Sequence, residues 1–361
     1  MHGSGRLLAL GGRIGLALIA VIITTLVAAC GGGGGGTTPA SPAVIDSGNA
    51  QVMTREVLDA GLGAGSFGVA VGGGGILSAD GGSNALAQGI VHRRTVQAVP
   101  VGPASPTGQV QPTASFGPER VDCLVSGFIS LSGSVDSAST LLAGDRITAD
   151  FNACDDADGA VYDGRMRLDV TNFSGDLLAN QFALGALVTL TGLAIAEGGS
   201  TTTGDGAFDL DLDLTVPLVS ALTVSGDVLE TRSGSDAWVL RDFAISVDED
   251  STGVSVLTTY AGTGTLEGSG FDGAVDFATV VPLVATGAND PATGELLITG
   301  ANGATIRAMV LDSTSLTLAI DLNGDGVVDE TQDMSWSTVA GGLGATLHRF
   351  VPPLPLPSAV P

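Results

Sequence analysis

The chain of 361 residues contains no lysine, because all 13 of its basic residues are arginine. That absence excludes phosphate-binding loops that need a lysine, Schiff-base chemistry and a lysine general base. Histidine occurs only three times, never in an H-x-H or H-E-x-x-H spacing, and no G-x-S-x-G motif is present. The 38 acidic residues give a net charge of −25, which disfavours nucleic acid as a partner. The sequence therefore predicts a protein that is not an enzyme of the common nucleophilic or metal-dependent types.

The N-terminus has the pattern of an export signal. Arg6 and Arg13 precede an apolar run over residues 14–29. This run is shorter than the ~17–25 residues that a membrane-spanning helix needs. Small residues close this run in the order Leu26-Val27-Ala28-Ala29-Cys30, and six glycines follow. The pattern resembles the lipobox of bacterial lipoproteins, whose cysteine receives a diacylglycerol after cleavage. An ordinary cleaved signal peptide with an adventitious cysteine is the alternative.

The lipobox resemblance implies removal of residues 1–29 and a lipid anchor on Cys30. Because Gly31 follows the cysteine instead of aspartate, the resemblance also implies transfer to the outer membrane, facing the periplasm or the cell surface. Two or more acyl chains hold a protein stably on a bilayer. The first expected partner is therefore the membrane, and an envelope protein or glycan is the second.

The other two cysteines, Cys123 and Cys154, form an even pair in an oxidising compartment, which favours a disulfide. Both lie on strand-like segments on either side of a turn near Ala138. A symmetric hairpin would set them opposite each other, within reach of a disulfide. Two buried thiols are the alternative.

Strict alternation of apolar and polar residues begins near residue 121 and predicts half-buried antiparallel strands. Turn signals rich in Asp and Gly separate the alternating stretches. The sequence therefore predicts an all-β fold, an antiparallel meander that forms a sandwich or a curved sheet. The alternating stretches include residues 147–152, 165–171, 208–216, 244–247, 253–256 and 315–320.

Composition divides the chain into five parts. They are the signal peptide 1–29, Cys30 with a flexible tether 30–46, a low-complexity and partly ordered segment 47–118, a β-domain 119–345 and a Pro-rich tail 346–361. Within the low-complexity segment, residues 49–60 are expected to form a short helix. A spacer of up to about 85 residues would place the β-domain well clear of the bilayer.

The sharpest local motif lies at residues 321–329 and matches the D-x-[DN]-x-[DN]-G pattern of a calcium loop. Gly326 would take the sharp turn. Gln332 stands where a calcium loop has its bidentate glutamate, so only weak affinity is expected. An Asp-Gly hairpin turn with solvated acids is the alternative. The expected calcium ligands are the side chains of Asp321, Asn323, Asp325 and Asp329 and the carbonyl of Val327.

Two further groups of acidic residues are candidates for acid–base chemistry, although solvated turns are the more common origin of such runs. A pair of carboxylates ~5–10 Å apart would suit a hydrolase of envelope glycans. The first group comprises Asp155, Asp156, Asp158 and Asp163, and the second comprises residues 248–250.

Residues 123–176 carry a family likeness. Cys123 is followed by Leu142-Ala-Gly-Asp145, then by a strand that ends at Cys154, and then by Asp163-Gly164 and an alternating strand. With the lipobox and its glycines, this order resembles a group of proteobacterial outer-membrane lipoproteins with no known activity. The resemblance implies a disulfide and an all-β body. We therefore expect a structural or binding module held on a membrane; the alternatives are a glycan hydrolase and a carrier of apolar ligands.

Overall fold

The computed structural model describes residues 40–72, 114–136, 141–155, 160–176, 181–197, 199–234, 236–287 and 289–338. All of them belong to one compact unit that begins at Ala40. The signal peptide, Cys30 and the Pro-rich tail lie outside the described residues.

One α-helix, fourteen strands and two short 3₁₀ helices, Ala301–Gly303 and Trp336–Thr338, form the regular structure of the described residues. The helix, α1, is Ala50–Gly72. The strands are β1 (Ala114–Asp122), β2 (Ser126–Val135), β3 (Arg146–Asp155), β4 (Ala160–Asp176), β5 (Gln181–Glu197), β6 (Ser200–Asp213), β7 (Val219–Ser233), β8 (Asp236–Asp250), β9 (Leu257–Gly268), β10 (Ala274–Thr286), β11 (Thr293–Thr299), β12 (Thr305–Asp312), β13 (Ser315–Asp321) and β14 (Glu330–Ser335).

The fourteen strands form a single antiparallel sheet in which spatial order follows chain order. The prediction of an all-β antiparallel meander is confirmed, in its curved-sheet form and not as a sandwich. Strands β1 and β14 are the two edges. The turns after odd-numbered strands lie at one end of the sheet and those after even-numbered strands at the other, as a meander requires. We call these the proximal end and the distal end.

Alternation along the strands separates a buried face from a polar one. In β6, Phe208, Leu210 and Leu212 are buried, whereas Asp209 and Asp211 between them are exposed. The same pattern holds in most of the other strands, so their buried side chains form one continuous core. The other face of β6 is acidic and open to water.

Bulges in the long strands curve the sheet. Gly164 in β4 has φ +105° and faces Gly192 in β5, so closely that a Cβ at Gly164 would lie 2.2 Å from the Gly192 carbonyl oxygen. The register shifts on both sides of this pair, between Asp163 and Arg165 and between Leu190 and Leu193. An extra unpaired residue bends a strand and increases its twist, which lets one sheet wrap around its own buried face.

Helix α1 lies against the buried face and touches β6, β7, β8, β9, β12 and β13. One side of the helix is buried, since Met53, Glu56, Val57 and Ala60 all have less than a tenth of their surface exposed, whereas Gln51 is exposed. Small residues let the helix approach closely: a Cβ at Gly61 would lie 1.9 Å from the Tyr260 hydroxyl of β9. The helix therefore packs one side into the buried face of the sheet and leaves the other more exposed.

The folded unit begins earlier than the sequence analysis expects. Pro42 forms a parallel bridge with Ala274, and the amide of Ala43 donates to the Ala274 carbonyl at 2.7 Å. The amide of Ala301 in turn donates to the Ala43 carbonyl at 2.7 Å. Residues 40–72, which composition assigns to the tether and the low-complexity segment, are thus part of the fold, because backbone hydrogen bonds and the buried helix hold them.

Two strand boundaries also differ from the expectation. Strand β1 begins at Ala114 and tolerates Pro118, because an edge strand has one row of amides with no strand partner and its register shifts between Phe116 and Glu119. Residues 253–256 form the turn between β8 and β9 instead of a strand, and Val254 there is fully exposed.

Candidate functional site

The loop at residues 322–329 joins β13 to β14 at the proximal end. Asp321 is buried, and its carboxylate accepts hydrogen bonds from the amides of Asn323, Gly324 and Gly326 at 2.7–3.2 Å. Burial raises the pKa of Asp321, but these backbone amides outweigh it and hold the pKa below its ordinary value. Gly326 has φ +81°, as the sharp turn requires. The turn that the motif predicts is therefore present.

The other expected ligands also bond within the loop. Asn323 Oδ1 accepts from the Asp325 amide, Asp325 Oδ1 accepts from the Val327 amide, and Asp329 Oδ2 accepts from the Leu322 amide, all at 2.8–2.9 Å. Across the part of the chain that the structure describes, no group of three or more His, Cys, Asp and Glu side chains is placed to hold a metal ion. These hydrogen bonds account for the loop, and calcium binding stays a prediction.

Gln332, at the twelfth position of the calcium-loop motif, makes a contact outside the loop. The side chain of Gln332 donates to the carbonyl of Ser47 at 2.8 Å, just before α1. The side chain of Gln51 reaches the Asp333 carbonyl at 3.4 Å. The residue that would complete a calcium site thus holds the start of the helix against β14.

The disulfide between Cys123 and Cys154 is confirmed, with Cα atoms 5.5 Å apart. Its setting differs from the symmetric hairpin expected from the sequence. Cys123 lies in the turn between β1 and β2, and Cys154 lies on β3, so the bond crosses the end of β2. It therefore ties three strands together at the proximal end.

Three described acidic residues of the two candidate clusters have structural contacts. Asp163 on β4 accepts a hydrogen bond from the Ala153 amide on β3 at 3.1 Å, while Asp156 and Asp158 lie outside the described residues. Glu249 is buried and accepts from the Ser251 hydroxyl, whereas Asp250 accepts from both the amide and the hydroxyl of Thr252. The carboxylates of Glu249 and Asp250 therefore stabilise the turn after β8, and burial raises the pKa of Asp248 beside them.

Turns of the form Asp-x-Thr recur at the distal end. In each, one carboxylate oxygen accepts from the threonine amide at 2.8 Å and from its hydroxyl at 2.6 Å. The pKa of each aspartate is lowered, chiefly by the threonine hydroxyl. The three pairs are Asp213 with Thr215, Asp250 with Thr252 and Asp312 with Thr314.

A buried carboxyl that the sequence analysis does not single out lies under the helix. Glu56 is 1% exposed and lies against the turn after β9, where a Cβ at Gly268 would lie 1.9 Å from its Oε2 atom. Burial raises the pKa of Glu56 to about 6, against an amide hydrogen bond from Gly270 and the charge of Arg55. A signal was present in the sequence, because Glu56 follows Val52 and precedes Ala60 at helical spacing, within an otherwise apolar row.

Two more polar groups share this part of the core. Thr231 pairs with Trp238 across β7 and β8, and Trp238 pairs with Gly268 across β8 and β9, so all three lie on one face. The Thr231 hydroxyl, the Trp238 indole nitrogen and Glu56 Oε2 are buried and make no hydrogen bond within the described ranges. This row of polar groups under α1 is the least compensated part of the described core.

Comparisons with models of protein families, with curated proteins and with solved structures found no match for this chain.

No helix within the described ranges is both long enough and apolar enough to cross a bilayer.

Proposed function

We propose that this protein is a lipid-anchored protein of the outer membrane that acts as a non-enzymatic structural or binding module of the cell envelope. The proposal depends on the order Leu26-Val27-Ala28-Ala29-Cys30, which resembles a lipobox. Cys30 lies ten residues before Ala40, where the folded unit begins. The lipid on Cys30 would attach a complete β-domain to the bilayer.

The described carboxylates support a role other than hydrolysis. Within the two candidate clusters, Asp163, Glu249 and Asp250 accept hydrogen bonds from nearby amides or hydroxyls. A glycan hydrolase needs two carboxyl groups facing each other across a cleft.

The helix weighs against a carrier of apolar ligands. A carrier in a curved sheet needs a cavity on its apolar face. Here α1 covers that face from β6 to β9, with Met53 and Val57 fully buried.

Metabolic labelling with an alkyne fatty acid tests the anchor. The full chain, produced in a Gram-negative host, should take up the label, and Cys30→Ser should lose it. Cys154→Ser is the matched control, because it also replaces a cysteine, here one half of the disulfide, but leaves the lipobox intact. Absence of label from the unaltered chain, or label that persists in Cys30→Ser, would contradict the proposal.

A further inference from the structure

Exposed apolar side chains lie at both ends of the sheet: Val216, Val254, Leu257 and Leu311 are at the distal end, and another group is at the proximal end, where the folded unit begins. In the loop between β13 and β14, Leu322, Val327 and Val328 are 39%, 63% and 52% exposed. Val44, on the segment that leads into α1, is 66% exposed although its neighbours Ala43 and Ile45 are buried. We call these four residues the proximal patch.

Direct contacts connect the parts of this patch. Residues 300–304, between β11 and β12, lie against the incoming segment, since the Ala301 amide donates to the Ala43 carbonyl at 2.7 Å. On their other side they meet the next loop, where a Cβ at Gly324 would lie 2.6 Å from the Asn302 carbonyl oxygen. The hydrogen bond from Gln332 to Ser47 joins the same two segments again. The patch and the first folded residues are therefore one surface.

The length of chain before this surface is short. Residues 30–39 separate the lipobox cysteine from Ala40, and ten residues span at most about 35 Å even when fully extended. Strand β8 has 15 residues and spans about 50 Å, whereas β11 to β14 beside the patch have six to eight residues and span about 20–27 Å. A lipid on Cys30 would thus keep the proximal end, where the tether attaches, within about 35 Å of the bilayer.

We infer that the proximal patch is the surface that meets the bilayer, with its apolar side chains inserted into the interface of a zwitterionic lipid layer. The inference rests on the proposed lipid anchor. Apolar side chains gain by entering the boundary between headgroups and acyl chains, to a depth of about 5–10 Å. The net charge of −25 disfavours anionic lipid, so the lipid in question is zwitterionic.

The test places an environment-sensitive NBD dye on single introduced cysteines in the full, lipidated chain, reconstituted in phosphatidylcholine vesicles that contain nitroxide lipids. The probe variant is Val327→Cys, and Val44→Cys is a second probe of the same surface should the first disturb its loop. Val254→Cys is the matched control, because Val254 is an equally apolar and fully exposed residue of the distal end. Since the inserted depth is about 5–10 Å, we expect at least about twofold quenching at the proximal probes and none at residue 254.

The possible results distinguish failure of the proposed lipid anchor from failure of the inference about the proximal patch. A chain that does not float with vesicles lacks the anchor, and the inference falls with it. A chain that floats, but whose proximal probes are quenched no more than residue 254, keeps the anchor and overturns the inference. Quenching confined to the proximal probes supports both.

Discussion

Replacing the buried Glu56 with glutamine should stabilise the protein at neutral pH. Burial raises the pKa of Glu56 from 4.5 to about 6, so folding favours the neutral carboxyl. That difference corresponds to about 2 kcal/mol of unfolding free energy. The penalty is absent below about pH 4.5, where the carboxyl is neutral in both states, and is fully present well above pH 6. Glutamine keeps the shape and an oxygen for the Gly270 amide, and it does not titrate.

Urea denaturation between pH 4 and pH 8 measures this effect through the fluorescence of the buried Trp238 and Trp336. Glu56→Gln should match the unaltered protein near pH 4 and exceed it by up to about 2 kcal/mol at pH 8. The difference between the two chains matters, because other carboxylates make both less stable in acid. Glu230→Gln is the control, since that side chain is exposed on β7 and should show no such divergence.

Two results would refute this reasoning. Equal stability of Glu56→Gln and the unaltered chain at pH 8 would mean that water or a counter-charge already compensates the ionised carboxyl. Lower stability of the variant at pH 8 would go further, because it would show that the negative charge itself holds the helix in place.

Three more changes test other contacts of the fold. Gly61→Ala should lower the unfolding free energy by about 1–3 kcal/mol despite the better helix propensity of alanine, because its Cβ would lie 1.9 Å from the Tyr260 hydroxyl. Urea denaturation measures this loss, and adding Tyr260→Phe to the same chain should recover part of it. Cys123→Ser should lower the unfolding free energy by about 3–4 kcal/mol, since the disulfide spans 31 residues, and a reductant should then destabilise only the unaltered protein. Calorimetry should detect calcium binding by the unaltered chain only near the millimolar range. The Asp325→Ala variant should lose this binding, and the Asp209→Ala variant should keep it. Absence of binding heat from the unaltered chain would contradict the calcium prediction.

The sequence predicted the strands well wherever one face of the sheet is buried and the other is exposed to solvent. In β6, Phe208 to Leu212 alternates because the pleat itself alternates, and six or more residues of that pattern rarely arise otherwise. Four residues are ambiguous, because 244–247 lie within β8 whereas 253–256 form an exposed turn. Register and curvature were out of reach, because they depend on bulges such as the one at Gly164, where two backbones meet.

The helix was predicted only as far as residue 60, for a physical reason. Residues 50–60 show the contrast between two sides of a helix, because Gln51, Arg55 and Asp59 lie four residues apart on its more exposed side. From residue 61 to Gly72, Ser66 is the only polar side chain, so the pattern that identifies a helix is lost. Its later part is rich in glycine and alanine, a composition that also suits an unstructured linker. Only the close approach of Gly61 to Tyr260, residues far apart in sequence, explains why small side chains are needed there.

In the candidate sites, too, the sequence predicted the features that depend on neighbouring residues and not those that depend on distant contacts. The turn at 321–329 is encoded locally, because Asp321 and Gly326 need only each other and the backbone between them. The sequence itself shows the missing bidentate ligand, because Gln332 replaces glutamate, but it does not show that Gln332 contacts the Ser47 carbonyl before the helix. The disulfide was predicted from the cysteine count, the expected export of the chain and a hairpin between the two cysteines, but the strand that it crosses was not.

Glu56 shows why the informative carboxyl was the hardest to recognise. The conspicuous acids form runs or occupy turns, and their oxygens accept amide and hydroxyl hydrogen bonds within a few residues. A buried carboxyl is uncommon because its charge loses the solvation of water. The burial of Glu56 depends on Gly268 and Gly270, more than two hundred residues away, whose missing side chains leave room for it. The same contact joins α1 to the turn after β9, beside the place where the incoming segment docks at Ala274. The Glu56 carboxyl therefore lies close to the part of the fold nearest the proposed anchor.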